Sequence, residues 1–366
     1  MNFKMLILNM GSTSTKVAVY DGEEKVWQQS ISHPADEIRK YKVYREQYGF
    51  RKNAILDLLK EKDEDLNSFE AFVSRGGTIR PVSGGTFIID ANMLLDAWSG
   101  QYGDHPCNIG VQIAYDLGNE YKVAAYTVDP PCCNELCEEA VYSGLPEIKR
   151  IASFQALNHR ATARKYCSDN NLNYNEVNLI VAHMGGGVSV AAHQKGKIID
   201  VNNALAGDGP FALERSGSLP VGDLIKMCYS NEYTLDEMLR KVNGRGGMLA
   251  YLNTTDAREI EKRISEGDDY ALDVTKAMTY QISKEIGAVS TVFDGNINAI
   301  LLTGGLAYWD RFTDLIRSRV SLIAPIFKYP GENEMESLAL GTYRHIIGKE
   351  PLSVYENPDL VLRNNQ

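Results

Sequence analysis

The sequence predicts an α/β protein built from two similar domains. Three observations predict it. Apolar or alternating strand patterns are interleaved with helix-period segments along the chain. Two strand–turn–strand stretches, Leu6–Gly22 and Leu179–Gly196, repeat one layout 174 positions apart. The 366 residues also suit two domains better than one. A chain of this size buries roughly 75% of its unfolded surface, so its cores need no disulfide or metal staple.

Taken in order, Leu6, Ile7 and Leu8 form an apolar run. Val17 and Val19 then alternate with Lys16, Ala18 and Tyr20, the period of a half-buried strand. Between them lie Gly11, Ser12, Thr13, Ser14 and Thr15. Small residues let backbone N–H groups approach an anion, hydroxyls add donors, and Lys16 adds charge. The stretch reads as a phosphate-binding hairpin or as a plain polar turn. It is not a Walker A loop, because no Gly-Lys-Ser/Thr occurs and no helix follows at once.

Asn53–Leu66 has helical apolar spacing, and Phe69–Gly77 reads as a strand entering a Gly turn. "NMLLDAWSG" is a helix stopped by Gly100, and "YKVAAYTVDPP" a strand ended by prolines. Ser153–Asn171 reads as a helix capped by Ser153. The second hairpin, "LIVAHMGGGVSVAAHQKG", follows; Met10-Gly11 falls on Met184-Gly185, and Asn9 on His183. "VGDLIKMCYS" and Thr234–Val242 are helices, and Asp256–Val292 is a long charged helical region. Ile297–Tyr308 is an apolar strand entering Gly304-Gly305, a third relative of the hairpins. Helix "DRFTDLIRSRV", strand "IAPIFKYP" and helix "EMESLALGTYRHIIG" close the chain. The expected domains are 1–160 and 161–366, with the last helix a candidate to return to the first domain.

Composition narrows the function. The net charge of -10 argues against a general nucleic-acid or anionic-membrane binder, but not against ATP, which needs only a local positive cluster. No signal peptide and no run of about 20 apolar residues occurs, so a cytoplasmic protein is expected. Six cysteines include the cluster Cys132, Cys133 and Cys137. No second ligand pair stands at zinc spacing, which favours unpaired thiols in a reducing compartment.

The segments "NMGSTSTK", "SRGG", "VDPP", "ALNHRATAR", "AHMGGGVSV", "DGPFALERSGSLPVGDL", "LLTGGLAYWDRF" and "YPGENEMESLALG" together resemble the acetate and butyrate kinase family, within the sugar kinase, actin and Hsp70-like superfamily. The resemblance runs from about residue 5 to residue 350. It implies two ribonuclease H-like domains, each a mixed five-stranded sheet flanked by helices, with a nucleotide cleft between them. It also implies transfer of phosphate between ATP and a short-chain carboxylic acid such as butyrate, with Mg2+, in a homo-oligomer. The tail "DLVLRNNQ" and the helix from Thr275 are candidate assembly elements. Met10 and the cysteines of "VDPPCC" depart from the family pattern.

A carboxylate substrate is already ionised at neutral pH and is its own nucleophile. It needs positive charge to approach an anionic phosphate. The resemblance assigns that work to Arg75 and Arg215, whose alternative is a surface salt bridge. It places His183 on the phosphoryl group, with a structural histidine as the alternative. Asp129 falls near metal and substrate. Asn9, Gly11, Ser12, Thr13, Ser14 and Lys16 form the first phosphate hairpin, Gly185, Gly186 and Gly187 the second, and Gly304 and Gly305 the adenosine-side turn. Glu334 is the metal candidate, with Glu332 and Glu336 beside it. Acetate or propionate kinases, sugar kinases and actin-like nucleotide switches are the competing readings. A sugar kinase calls for a carboxylate base, and a switch protein for an appended subdomain.

Overall fold

In the computed structural model, which describes residues 3–355, the chain opens with β1 (Lys4–Met10), β2 (Ser14–Asp21) and β3 (Glu24–Ser32). It continues through α1 (Ala35–Ile38), α2 (Tyr48–Glu61), β4 (Ala71–Ser74), β5 (Thr86–Ile88), α3 (Ala91–Ser99), α4 (Pro106–Tyr121) and β6 (Ala124–Val128). Next come α5 (Glu138–Val141), α6 (Ala156–Asp169), β7 (Asn178–Met184), β8 (Val188–Gln194) and β9 (Lys197–Val201). Then follow α7 (Val221–Cys228), α8 (Leu235–Val242), α9 (Gly247–Leu252), α10 (Ala257–Ser265) and α11 (Asp269–Ser290). The last elements are β10 (Ala299–Gly304), α12 (Asp310–Val320), β11 (Ile326–Pro330), α13 (Glu334–Ile346) and β12 (Leu352–Ser353).

Two compact units result. The first holds the residues up to Asn134 and those from Asn333; the second holds Glu135–Glu332. The expected border at 160/161 is therefore corrected, since it would cut α6, whose Ala163, Tyr166 and Cys167 pack on Leu179, Val181 and Leu301 of the second sheet. The last helix returns to the first unit, as its candidate status anticipated, because α13 packs on β1 and β6 of the first sheet. The tail "DLVLRNNQ" lies outside the described residues.

The two sheets share one five-strand frame. The order β6-β4-β1-β2-β3 in the first matches β11-β10-β7-β8-β9 in the second. In each frame the leading hairpin is antiparallel, and its first strand also pairs with a parallel strand. The first sheet has seven strands, not the five expected. β5 adds antiparallel to β6, and β12 adds parallel to β5. Both additions are too short, at 3 and 2 residues, to leave an alternation pattern. β10 is not a third hairpin: it is a parallel strand between β7 and β11 that runs into a 3-10 turn, Gly305–Tyr308.

Burial explains the strand sequences. Ile180 and Ala182 of β7 face one core with Ile282 and Ile286 of α11, while Leu179 and Val181 face α6. A strand covered on both faces reads as one apolar run. Several predicted helix ends hold. Gly100 ends α3 in the left-handed region (φ 71), and Thr234 with Glu237 forms a capping box on α8. Others shift. α6 begins at Ala156 after Gln155, so Ser153 is not its cap. The region 256–292 is two helices parted at Gly267 (φ 97). Among the described residues no helix is long and apolar enough to cross a membrane, and none of the six cysteines is in a disulfide.

The seat of α13 on the first sheet is tight at Gly341. A Cβ built there lies 2.4 Å from Val128 Cγ1 and 2.9 Å from Cγ2. Gly341→Ala forces α13 away from β6, and a loss of about 1–3 kcal/mol is expected for such overpacking. Urea denaturation measures it; an unchanged midpoint contradicts the described packing.

Candidate functional site

In the first unit the site begins at the β1–β2 hairpin. Register pairs Asn9 with Lys16 and Met10 with Thr15, which leaves Gly11, Ser12 and Thr13 as the tip. The tip is closed by Gly11 N donating to Ser14 O (2.8 Å). Its carbonyls point inward. Arg51 of α2, fully buried, donates Nη1 to Gly11 O (2.9 Å) and Ser14 O (3.2 Å), and Nη2 to Ser12 O (3.0 Å). His33 N takes Thr13 O (2.8 Å). Peptide planes whose C=O groups turn inward present N–H groups outward, the geometry of an anion nest. Among the described residues, neither Ser12 N nor Thr13 N has an acceptor in the chain.

Arg51 is the residue that sequence reading missed. Its remaining partners are Gln47 Oε1 (3.0 Å) and Thr15 Oγ1 (3.2 Å), so among the described residues no carboxylate bonds it. Burial pulls its pKa below the ordinary guanidinium value. A buried guanidinium without a counter-ion is costly, and an anion bound at the hairpin would supply one. Nothing in "FRKNAIL" announces this, because the acceptors are backbone carbonyls some forty positions away.

At the base of the hairpin, four predicted residues meet. Glu334, the first residue of α13 and 8% exposed, accepts from Asn9 Nδ2 (2.7 Å) and Arg75 Nη2 (3.1 Å), with Lys16 Nζ at 4.0 Å. Arg75 follows β4 and donates its backbone N–H to Leu8 O. The glycine after it is required: Gly76 has φ 82, and a Cβ there would stand 2.6 Å from Thr127 Oγ1. Asp129 lies at the end of β6 with φ 42. Its Oδ1 accepts from Gly85 N (2.8 Å), and its own N–H bonds Gly85 O. One of its carboxylate oxygens is thus used in shaping the Gly84-Gly85 turn.

In the second unit the β7–β8 hairpin pairs His183 with Ser189 and Met184 with Val188, and Gly185 N bonds Gly187 O (2.9 Å). Arg215 lies flat against this turn. A Cβ on Gly187 would fall 1.9 Å from Arg215 Nη1, so only glycine admits the guanidinium. Nη1 donates to Ala204 O (2.8 Å) and Nε to Asn243 Oδ1 (3.2 Å). Among the described residues Arg215 makes no salt bridge and its Nη2 has no acceptor in the chain. Burial lowers its pKa, and Glu214 opposes that shift. Gly186 faces Glu214 across the same turn, while Gly304 (φ 86) presses on the Met184 backbone.

His183 is 4% exposed. Its Nδ1 meets Asn158 Nδ2 at 2.8 Å, and its Nε2 meets Glu332 Oε1 at 3.1 Å. Behind it, His159 bonds Ser189 Oγ (2.8 Å), His193 stacks on His159, and Tyr174 OH bonds His193 Nδ1 (2.8 Å). The three neighbouring glutamates thus have separate places. Glu332 serves His183, Glu334 serves Asn9 and Arg75, and Glu336 is exposed.

Gly305 opens a 740 Å³ cavity with Asp256, Arg258, Glu261, Tyr308 and Trp309 in its wall. That volume is in the range of small-molecule sites. The sequence pattern shows Asp256 and Arg258 only as the start of a charged helical region. A metal fit follows from Glu334. Among the described residues no group of three or more His, Cys, Asp or Glu is arranged around a metal. Mg2+ commonly takes one or two carboxylates and completes its shell with water and substrate phosphates, so a single buried carboxylate beside a phosphate hairpin fits it.

Residues 146–311 match the family model described as the acetokinase family. The chain is 46% identical to butyrate kinase 2 and 44% identical to butyrate kinase 1 of Clostridium acetobutylicum, over 97% of this chain and 100% of each relative. Among solved structures, acetate kinase of Porphyromonas gingivalis superposes with a TM-score of 0.74 at 18% identity, covering 94% of this chain and 100% of that one. A propionate kinase of Francisella tularensis gives 0.70 at 16%, covering 93% and 98%.

The histidines make stability pH-dependent. Burial, aided by Arg51, lowers His33 to about 4. Burial, with charged or titrating neighbours adding, pushes His159 and His193 well below their ordinary value. The unfolded chain binds these protons near pH ~6.5, so the folded state binds fewer between that value and about 4. Stability present above pH ~6.5 is lost as pH falls through this window. Urea midpoints should decline across it, less steeply in His33→Gln. A flat profile contradicts the neutral burial of these rings.

Proposed function

The chain belongs to the acetokinase family, and on that footing we propose that it is a short-chain fatty acid kinase. It transfers a phosphoryl group reversibly between ATP and butyrate or a branched short-chain carboxylate, giving an acyl phosphate and ADP. The observation that carries this reading is the 44–46% identity to butyrate kinases over nearly the whole chain.

The chemistry asks for few groups. A carboxylate oxygen attacks the γ-phosphorus, and the bond from phosphorus to the bridging oxygen breaks with its electrons left on ADP. No proton changes hands, so no general base is needed. Charge repulsion between carboxylate and phosphate is the obstacle, and fixed donors that strengthen as the phosphoryl group moves lower it. Arg75 is the guanidinium for the incoming carboxylate: it already holds one, from Glu334. Arg215, with Nη2 unspent inside the chain, serves the transferring phosphoryl oxygens, and His183 donates to them. The tip N–H groups of Ser12 and Thr13 and the Lys16 ammonium hold nucleotide phosphates, as do Gly185, Gly186 and Gly187. The cavity at Gly305 takes the nucleoside, with Asp256 as an acceptor. Glu334 would hold Mg2+, with Asn9 fixing its carboxylate, and the metal would supply positive charge against the phosphates. Asp129 supports the site through the Gly84-Gly85 turn.

An ATP-dependent hydroxamate assay across a series of acids tests the reading. Four- and five-carbon acids should react with higher kcat/KM than acetate. Acetate as the best substrate would contradict the butyrate assignment, and phosphorylation of sugars alone would overturn the class. In the same assay Arg215→Ala should lose on the order of 10²–10³ in kcat with a smaller change in KM for ATP. Arg215→Lys should recover part of it, because an ammonium lacks the guanidinium's planar fork of donors. A near-wild-type kcat in a folded Arg215→Ala variant removes Arg215 from the reaction.

A further inference from the structure

We infer that Asn158 is a positioning residue that sets the protonation of His183, holding the ring neutral with its single proton on Nε2. The inference deepens the reading above and rests on it for the reaction His183 serves. Two independent lines meet at the ring.

The first runs from the outer nitrogen. Nε2 lies 3.1 Å from Glu332 Oε1. An ionised carboxylate has no proton to give, so the hydrogen between them belongs to Nε2. In a neutral imidazole the other nitrogen is then an acceptor. The second line runs from the buried side. Thr303 Oγ1, 1% exposed, donates its one proton to the Gly331 carbonyl (3.3 Å). Its oxygen is left to accept, and it faces Thr162 Oγ1 and Asn158 Nδ2, each at 3.2 Å. Asn158 therefore turns its amide nitrogen inward, and that same nitrogen lies 2.8 Å from His183 Nδ1. The first line gives Nε2 as the donor, and the second gives Nδ1 as the acceptor.

A proton on Nδ1 would point at the Asn158 amide hydrogens, in a place where Asn158 and His183 are each 4% exposed. The hydrogen bond made by one ring nitrogen fixes what the other can do. His183 thus meets a phosphoryl oxygen as a neutral N–H donor. It does not act as a proton source, which agrees with a transfer that moves no proton.

The substitution that inverts the inner bond is Asn158→Asp, nearly the same in shape but accepting only. It draws a proton to Nδ1 and favours the Nδ1–H tautomer or the imidazolium. The experiment is two-bond 1H–15N correlation spectroscopy of the histidine rings in the full chain, with the His183 signals assigned by their loss in His183→Gln. The expected wild-type pattern is the neutral Nε2–H tautomer at neutral pH, converted in Asn158→Asp to Nδ1–H or doubly protonated. Steady-state kinetics of Asn158→Asp should show kcat down on the order of 10²-fold, with KM for ATP and acid within about three-fold; a purely structural role would instead reduce the folded fraction. A wild-type ring protonated on Nδ1, or on both nitrogens, overturns the inference, and needs no variant to fold. An Nε2–H ring together with full kcat in His183→Gln upholds the assignment of the proton and overturns the catalytic reading beneath it.

Discussion

The first unit is organised around one buried carboxylate. Glu334 is 8% exposed, and a carboxylate there is tolerable only when its oxygens are paired. Asn9 and Arg75 pair them, with Lys16 near. Those three residues stand at the end of β1, just past β4, and near the start of β2. The single charge therefore sets the ends of three strands, and it does so from a helix reached only after the whole second unit has been traversed. Its place in the first turn of α13 is favourable in itself, since a helix N-terminus carries partial positive charge. Without the carboxylate, Arg75 and Lys16 would face each other with no charge between them.

Each hairpin turn rests on an arginine, by different routes. Arg51 fills the concave side of the first turn and binds its carbonyls. Arg215 lies along the second turn, in the space that Gly187 leaves by lacking a side chain. In both, the guanidinium hydrogen-bonds to neutral acceptors among the described residues, and at Arg215 only the neighbouring Glu214 acts against its charge. A fixed cation behind a set of N–H donors is an anion site prepared before the anion arrives, and such preorganisation is what makes electrostatic stabilisation effective.

Much of this was legible in the residues. The alternation in Lys16–Tyr20 and the apolar runs before each Gly turn marked the hairpins, their equal layout marked two similar domains, and the five-strand frame came from the family resemblance. Gly100 marked the end of its helix because its mechanism is local, whereas the Thr234–Glu237 capping box of α8 was seen only in the structure. Other features escaped for physical reasons. α4 buries ten of its sixteen residues, the first six without a break, so its polar stripe of Gln112, Asp116, Asn119 and Glu120 begins only after that run. The border between units left no linker composition because the chain crosses it in short segments beside Asn134 and Glu332. The place of Asp129 depends on a left-handed backbone that no neighbouring residue demands. Arg51 and Asn158 read as ordinary helix residues, since their partners are distant carbonyls and a histidine on another strand.

The central claim is that Glu334 is the charge that balances Arg75 and Lys16 in the resting site and carries the metal in the working one. Titration calorimetry of ATP, with and without Mg2+, into wild type and Glu334→Gln tests it most directly. The amide retains the shape and removes the charge, so metal-free ATP should bind the variant at least as well as wild type. The gain in affinity that Mg2+ brings should fall on the order of ten-fold, the scale of losing a group that supports a metal. A folded Glu334→Gln protein that keeps the full wild-type gain from Mg2+, and binds metal-free ATP more weakly, would contradict the account.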